Sequence, residues 1–344
     1  MKHPRGFASD NYAGAHPAAL AAIAAANAGH ARAYGADPWT ARLGEVVRDE
    51  LGAEATAFPV FNGTAANVLC LHAVCRPWEG AICTTSAHLH TDECGAPEAV
   101  AGLKLLAVEA PDAKLTPELA ERAVVAVGDE HARQARVVSI TQSTELGTVY
   151  SVEEVRALAE FAHAHDLLLH VDGARLFNAA SALGVEPRAL TTDAGADLLS
   201  LGGTKAGLLG AEAVVLLREG LDDRGGLRYL RKQTMQLASK MRFASAQLIA
   251  LLEDRLWERT AGNANAMAAR LAAGLAELPG VRITHPVQAN VVFAVISPEA
   301  TRALQGDWPF YVWDEHTGEV RWMCAWDTTP EDVDAFLADV ERHT

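Results

Sequence analysis

Short apolar runs and stretches of helical periodicity alternate along this chain as far as Gly220. Residues 16–28 are alanine-rich, with Leu20 and Ile23 at helical spacing and Gly29 as a stop. Residues 37–51 form a second helical stretch opened by Asp37-Pro38, where Asp can cap and Pro can fill the first turn. Beyond them the spacing predicts strands over 58–61, 81–84, 103–108, 137–141, 167–171 and 213–217, and helices over 64–75, 117–127 and 152–165. Another apolar run, Asp197-Leu198-Leu199-Ser200, leads into a loop of small residues. Such alternation implies a mostly parallel sheet covered on both faces. After Gly220 the pattern changes. Residues 227–274 read as long helical sequence with an interruption near Gly262, followed by short strands over 281–284, 290–296, 310–313 and 320–323 and helices over 299–304 and 331–342. The expected fold is therefore α/β, with a large domain over residues 1–260 that includes the N-terminal segment, and a smaller C-terminal α+β domain over 261–344.

Composition narrows the function classes. The chain has 344 residues, half of them hydrophobic, enough for a large buried core. A formal net charge of −15 argues against a polyanion as main ligand and leaves room only for a local anion site. Cys70, Cys75, Cys83, Cys94 and Cys324 are odd in number and scattered, which indicates neither a disulfide framework nor a zinc knuckle. Residues 1–11 lack the apolar core of a signal peptide, and no window approaches about 18 uninterrupted apolar residues. A soluble cytoplasmic protein is expected.

The run Leu167-Leu168-Leu169 carries His170-Val171-Asp172-Gly173-Ala174-Arg175 to a strand end, and the run ending at Ser200 carries Lys205 into the small-residue loop. A carboxylate and a lysine at such positions meet the needs of pyridoxal phosphate: an amine to hold its aldehyde carbon, and an anion to keep its ring nitrogen protonated. Asn62-Gly63-Thr64 stands where a strand gives way to a helix, so backbone N–H groups, a hydroxyl and the helix dipole can hold a phosphate there. Gly202, Gly203 and Gly207 around Lys205 permit close backbone approach to a ligand. Asp172 can also cap the helix that Arg175 begins, and Arg175 reads equally as a ligand group or as the salt-bridge partner of Asp172. His88-Leu89-His90 has a chelating spacing, but no distant ligand completes a zinc site, so no metal is expected. Instead the flat imidazole of His88 suits a pyridine ring, on which it can stack and near which it can move protons. Arg321, the lone cation in an apolar run, reads as a structural ion pair or as a fork for a substrate carboxylate. His163 and His165 read as partners of a helix C-terminus. A nucleotide-binding oxidoreductase would share the α/β alternation, but its G-x-G-x-x-G turn is missing near the N-terminus.

Ser9-Asp10-Asn11, Tyr34-Gly35, Phe61-Asn62-Gly63-Thr64, Ala87-His88, residues 170–175 and Gly203-Thr204-Lys205 resemble, in order and along almost the whole chain, the low-specificity L-threonine aldolases. Residues 141–145 (Thr-Gln-Ser-Thr-Glu) and 323–327 (Met-Cys-Ala-Trp-Asp) are similar to a bacterial subgroup of that family. The resemblance implies the aspartate-aminotransferase fold (fold type I) and a pyridoxal-phosphate lyase that cleaves L-threonine, L-allo-threonine and related β-hydroxy-α-amino acids reversibly to glycine and an aldehyde. It implies that Lys205 holds the cofactor covalently, that Asp172 pairs with the ring nitrogen, that Gly63 and Thr64 bind phosphate, and that His88 stacks on the ring. Arg175 would lie near the ring hydroxyl and the substrate carboxylate, which Ser9 and Arg321 would fix. Arg242 would reach the phosphate of a neighbouring chain in a homotetramer built from dimers. Two departures stand out: Asn62 occupies a position that is often serine, and Thr144 one that is often a histidine near the substrate hydroxyl. That leaves His88, Glu145 or a water as the base. The alternative within the same cofactor chemistry is a β-eliminating lyase or an aminotransferase acting on a small amino acid.

Overall fold

A computed structural model describes residues 5–222 and 225–344. The apolar runs become strands β1 (Thr56–Val60), β2 (Glu79–Thr84), β3 (Lys104–Val108), β4 (Gln134–Thr141), β5 (Leu168–Gly173), β6 (Leu198–Gly202) and β7 (Glu212–Leu216). They form one seven-stranded sheet in the order β1-β7-β6-β5-β4-β2-β3, parallel except for β7, which runs against both neighbours. Every residue of β5, β6 and β7 is buried, which is why these segments read as continuous apolar runs rather than as alternating ones.

Helices cover both faces: α1 (Pro17–Ala26), α2 (Pro38–Leu51), α3 (Gly63–Val74), α4 (His88–Thr91), α5 (Ala96–Ala101), α6 (Pro117–Glu121), α7 (Val152–Ala164), α8 (Leu176–Leu183), α9 (Leu227–Gln233), α10 (Arg242–Leu252) and α11 (Leu256–Ala276). Caps fix several starts as their sequences imply. Asp37 Oδ1 accepts from Thr40 N–H at 2.8 Å, and Ser151 with Glu154 closes a capping box on α7. A second, antiparallel sheet of β8 (Arg282–Ile283), β9 (Val291–Val295), β10 (Tyr311–Asp314) and β11 (Glu319–Met323) has the order β10-β11-β9-β8 and packs with α12 (Pro298–Asp307) and α13 (Pro330–His343).

Two expectations need correction. The long helical stretch is divided into α9, α10 and α11, with left-handed backbone at Met235 and Arg255 and not at Gly262. Gly262 lies inside an unbroken α11, where a side chain would come 3.6 Å from Ser181 Oγ. The helix expected over 117–127 stops at Glu121, and two short helices, α4 and α5, carry His88 and flank Glu93. Helix α11 runs through residue 260: Leu256, Trp257 and Ala261 belong to the core under the large sheet, Ala268, Leu271 and Leu275 to that under the small one. Among the described residues no helix is long and apolar enough to cross a membrane.

The N-terminal segment is fastened to the small domain. Phe7 is buried against Trp308 and Phe336, with ring centroids 5.6 and 4.6 Å away, and its carbonyl accepts from Met323 N–H at 2.8 Å. Residues 8–12 are thereby held across the end of the large sheet. Phe7→Ala is expected to cost about 3–5 kcal/mol of stability through the cavity it leaves, read as a lowered unfolding midpoint; an unchanged midpoint would show that the segment is not anchored by this ring.

Candidate active site

Parallel β5 and β6 are in register with Asp172 opposite Ser200, so the loops that follow them lie side by side. Their separation is set by glycine. A side chain on Gly173 would come 2.7 Å from Leu199 Cδ1, and one on Gly202 only 2.6 Å from Ala174 Cα. On Gly203 it would meet the Ala211 carbonyl oxygen at 2.4 Å. The close approach expected of Gly202 and Gly203 is thus to other backbone and not to a ligand, and it is what presses the Lys205 loop against Asp172. A carboxylate unnoticed in the sequence completes this arrangement: buried Glu212 on β7 accepts from Gly203 N–H at 2.7 Å and Thr204 N–H at 3.3 Å.

The two loops, the start of α3 and the segment 141–145 form a small cleft lined by Gly63, Asn67, His88, Thr141, Glu145, Asp172, Ala174, Arg175 and Lys205. Asp172 is buried; Oδ1 accepts from Ala174 N–H at 3.0 Å and Oδ2 from Asn67 Nδ2 at 2.8 Å. Each oxygen keeps a second lone pair for a ligand donor. The cap from Asp172 thus goes to the Ala174 N–H, two residues before α8. Burial pushes the Lys205 ammonium pKa down, and so does the nearby Arg175 guanidinium, although Asp10, Asp172 and Glu212 oppose them. More of the amine is then neutral and nucleophilic near pH 7. Asn62 Oδ1 caps α3 through Ala65 N–H at 2.9 Å, while helix geometry leaves the N–H groups of Gly63 and Thr64 without partners inside the helix. A side chain built on Gly63 would meet nothing within 4 Å, so the space before the helix start is open.

Arg175 does not pair with Asp172. Its Nε and Nη2 donate to Asp10 Oδ2 and Oδ1 at 2.7 and 2.9 Å, and Asn290 Nδ2 adds a bond to Asp10 Oδ2 at 3.1 Å. Asp10, in the Ser9-Asp10-Asn11 segment, is the fixed counter-charge that orients the Arg175 fork. Burial would raise its carboxyl pKa, but the charge and hydrogen bonds of Arg175 outweigh that and hold it below the ordinary range. Ser9 Oγ accepts from Asn11 N–H, and the adjacent Ala8 carbonyl accepts from Arg321 Nη2 at 3.1 Å. Arg321 lies over the rings of Trp313 and Tyr311 at 4.8 and 5.4 Å and keeps a buried Nε without a partner, so its fork is not consumed by an ion pair. Arg242 is elsewhere: it does not line this cleft, its Nη1 donates to the Gly29 carbonyl at 3.5 Å, and its guanidinium lies over the Phe243 ring.

His88, at the start of α4, has its Nδ1 3.0 Å from Oε1 of the buried Glu93, while its backbone N–H donates to Glu145 Oε1 at 2.9 Å. The hydrogen bond to Glu93 raises the imidazole pKa, burial and Lys205 lower it, and the Asp172 and Glu93 charges add to the net upward shift. Thr144 faces away. Its hydroxyl is bound to Thr148 Oγ1 at 2.6 Å and the residue is buried outside the cleft, whereas Glu145 lines it. Beneath Asp172, His170 is buried between Ser139 Oγ and Ser200 Oγ at 2.9 Å each, and burial pushes its pKa down to about 4, so it is a neutral strut. His163 pairs with Asp197 Oδ2 at 3.0 Å, and His165 Nδ1 bonds the Phe161 carbonyl of the α7 end.

An amine, a carboxylate with free lone pairs, a flat imidazole, an open helix start and oriented arginine forks make a donor set that fits pyridoxal phosphate and a carboxylate-bearing substrate. Comparison with known proteins points the same way. A family model described as beta-eliminating lyase matches residues 6–298. The chain is 44% identical to a low specificity L-threonine aldolase of Pseudomonas aeruginosa over 340 residues, 98% of this chain and 97% of that one. It is also 44% identical to a low specificity L-threonine aldolase of a Pseudomonas strain over 97% of this chain and 96% of that one. Its fold matches a solved Leishmania major threonine aldolase with a TM-score of 0.92 at 29% identity, covering 98% and 99% of the two chains.

The Arg175–Asp10 pair yields a pH test. Asp10→Asn would leave a buried guanidinium without its carboxylate and cost about 3–5 kcal/mol. Because the folded pKa of Asp10 lies below its ordinary 3.8, the contribution of the pair is complete above that value and is lost as pH falls below it. The gap in unfolding midpoint between wild type and Asp10→Asn should therefore narrow in acid; a gap that widens below pH 4 would contradict the pairing.

Proposed function

The chain belongs to the beta-eliminating lyase family, in which low specificity L-threonine aldolases are its near relatives, and from that premise we propose how its own residues cleave β-hydroxy-α-amino acids such as L-threonine and L-allo-threonine. The observation that carries the reading is the Lys205 amine held beside the buried Asp172 carboxylate in a cleft shared with His88 and Arg175.

Pyridoxal phosphate, when bound, supplies an aldehyde carbon that captures an amine and a protonated ring that accepts the electron pair of a bond broken at the substrate α-carbon. Lys205, whose ammonium pKa burial pushes down, would hold that carbon. Asp172 would keep the proton on the ring nitrogen. The N–H groups of Gly63 and Thr64, with Asn62 shaping the turn, would bind the phosphate, and His88 would lie against the ring. Arg175, aimed by Asp10, and Arg321 beside Ser9 hold the substrate carboxylate, which orients the Cα–Cβ bond. His88 Nε2 takes the β-hydroxyl proton; as the Cα–Cβ bond breaks, the oxygen completes the carbonyl of the leaving aldehyde, and the α-carbon is later protonated to give glycine. His88 is favoured over Glu145 because one Glu145 oxygen already accepts from the His88 backbone N–H.

The finer reading extends to assembly and place. We propose a cytoplasmic homotetramer built as a dimer of dimers, with Arg242 serving a neighbouring chain's phosphate. Its absence from the cleft of its own chain supports this, as do the exposed side chains Tyr34, Leu209, Tyr229 and Met235.

Purified protein given the cofactor should absorb in the near-visible and release glycine and acetaldehyde from threonine. Lys205→Ala should lose both the covalent absorbance and roughly 10³-fold or more of the activity; retention of the absorbance would remove Lys205 from the role. Asp172→Asn should lose on the order of 10²-fold in kcat while still binding cofactor, and unchanged turnover would rule it out as the ring-nitrogen partner. Release of a keto acid in place of glycine and aldehyde would favour β-elimination or transamination.

A further inference from the structure

Beneath the cleft lies a continuous polar chain for which a lyase reaction has no obvious need. His88 Nδ1 meets Glu93 Oε1 at 3.0 Å. The same oxygen accepts from Asn67 Nδ2 at 2.8 Å, and the other hydrogen of that Nδ2 goes to Asp172 Oδ2 at 2.8 Å. Three elements contribute: the α4–α5 turn, the first two turns of α3 and the end of β5. Glu93 has no exposed side-chain surface and no Lys or Arg partner among the described residues. Asn67 sits in an otherwise apolar stretch, Ala65-Ala66-Asn67-Val68-Leu69, and is 2% exposed. A buried carboxylate of this kind is costly unless it accepts strong hydrogen bonds, and here its donors are the imidazole and the amide.

We propose that Glu93 and Asn67 are positioning residues of a single relay: Glu93 fixes the Nδ1 proton of His88 so that Nε2 is presented as a base, and the Asn67 amide ties that pair to Asp172. The inference rests on the lyase reading above. The tautomer follows from Glu93 acting as the acceptor. An ionised Glu93 only accepts, so Nδ1 must carry the proton, and Nε2, which has no partner among the described residues, keeps its lone pair in neutral His88. When the β-hydroxyl O–H bond breaks, its proton moves to Nε2, and Glu93 stays ionised against the resulting imidazolium, as a third group does behind any oriented histidine base. The Asn67 amide has both hydrogens engaged and a buried Oδ1 without a partner, a state a freely turning amide would not keep. It therefore holds Asp172 and Glu93 at a set separation, so that the group on the ring nitrogen and the base at the substrate hydroxyl are aligned by one side chain.

The relay has a titration signature distinct from mere structural support. His88 is faced by Glu93 from its own turn, by Asp172 from β5, by Lys205 from the loop after β6, and by Glu145 and Arg175 around the cleft. Replacing the Glu93 carboxylate by an amide weakens the hydrogen bond that is the strongest influence raising the His88 pKa, and removes the Glu93 charge as well. Removing the Asn67 amide leaves His88 Nδ1 as the remaining donor to Glu93 Oε1 and so strengthens that bond. The experiment follows the histidine Cε1 resonances of isotope-labelled, full-length protein across pH, with and without added pyridoxal phosphate, with His88→Gln to assign the signal. Glu93→Gln should move the His88 midpoint down and Asn67→Ala should move it up. In steady state, Glu93→Gln should shift the acid limb of kcat to lower pH and reduce kcat roughly 10-fold or more while changing KM less than about threefold. Shifts of the same sign in both variants, or a midpoint unchanged in Glu93→Gln, would overturn the relay. The titration is read without substrate, so it decides the relay even if wild-type protein releases no aldehyde, an outcome that would instead contradict the lyase reading. Should Glu93→Gln fail to fold, the upward shift in Asn67→Ala remains decisive.

Discussion

The site depends on how closely two loops can approach. Strands β5 and β6 end side by side, and with glycine at 173 and 202 the backbone after one can rest on the backbone after the other. Any Cβ at residue 202 would overlap Ala174. That contact brings a lysine and an aspartate from separate crossover units into one cleft, and Glu212 on the antiparallel β7 holds the lysine loop by its N–H groups. Parallel sheets place their ligands beyond the carboxyl ends of the strands. Here the distance between the functional groups on neighbouring strands is set by the absence of side chains.

Around this pair the charges are arranged in two tiers. One runs from Arg175 to Asp10 and Asn290 and couples the cleft to the N-terminal segment and the small domain, so that closing Phe7 onto Trp308 and Phe336 also delivers the counter-charge of the arginine. The other runs inward from His88 through Glu93 and Asn67 to Asp172. Asp10, Asn290, Glu93, Asn67 and Asp172 in these tiers are buried, where each hydrogen bond is strong and each unmade one costly. Together they orient the groups before any ligand arrives, which is the preorganisation that charge-stabilising catalysis requires.

Much of the fold was legible because fully buried strands leave apolar runs and helix starts leave caps: β5, β6, β7 and α2 follow from Leu167-Leu168-Leu169, Asp197 to Ser200, the run after Ala211 and Asp37-Pro38. Less legible were breaks made by tertiary strain. Arg255 adopts a left-handed conformation that its residue type does not advertise, while Gly262, which does advertise a break, sits within α11. The groups brought together at the site were visible where motif and strand end coincide, as for Asp172, Lys205, His88 and Gly63. Partners of those groups were not. Asp10, Asn67 and Asn290 lie far in sequence from the groups they hold, while Glu93 and Glu212 lie close to theirs but carry no motif; only polarity within apolar stretches, clearest for Asn67 and Glu212, could have singled them out.

The central claim is that Lys205 is the amine to which the aldehyde carbon of the cofactor is bound, because the glycine contact sets it beside Asp172. Borohydride reduction of the protein with pyridoxal phosphate, followed by proteolysis and mass spectrometry, tests this directly. The account predicts one modified peptide, carrying its adduct on Lys205; an adduct on another lysine, with Lys205 unmodified, would contradict it.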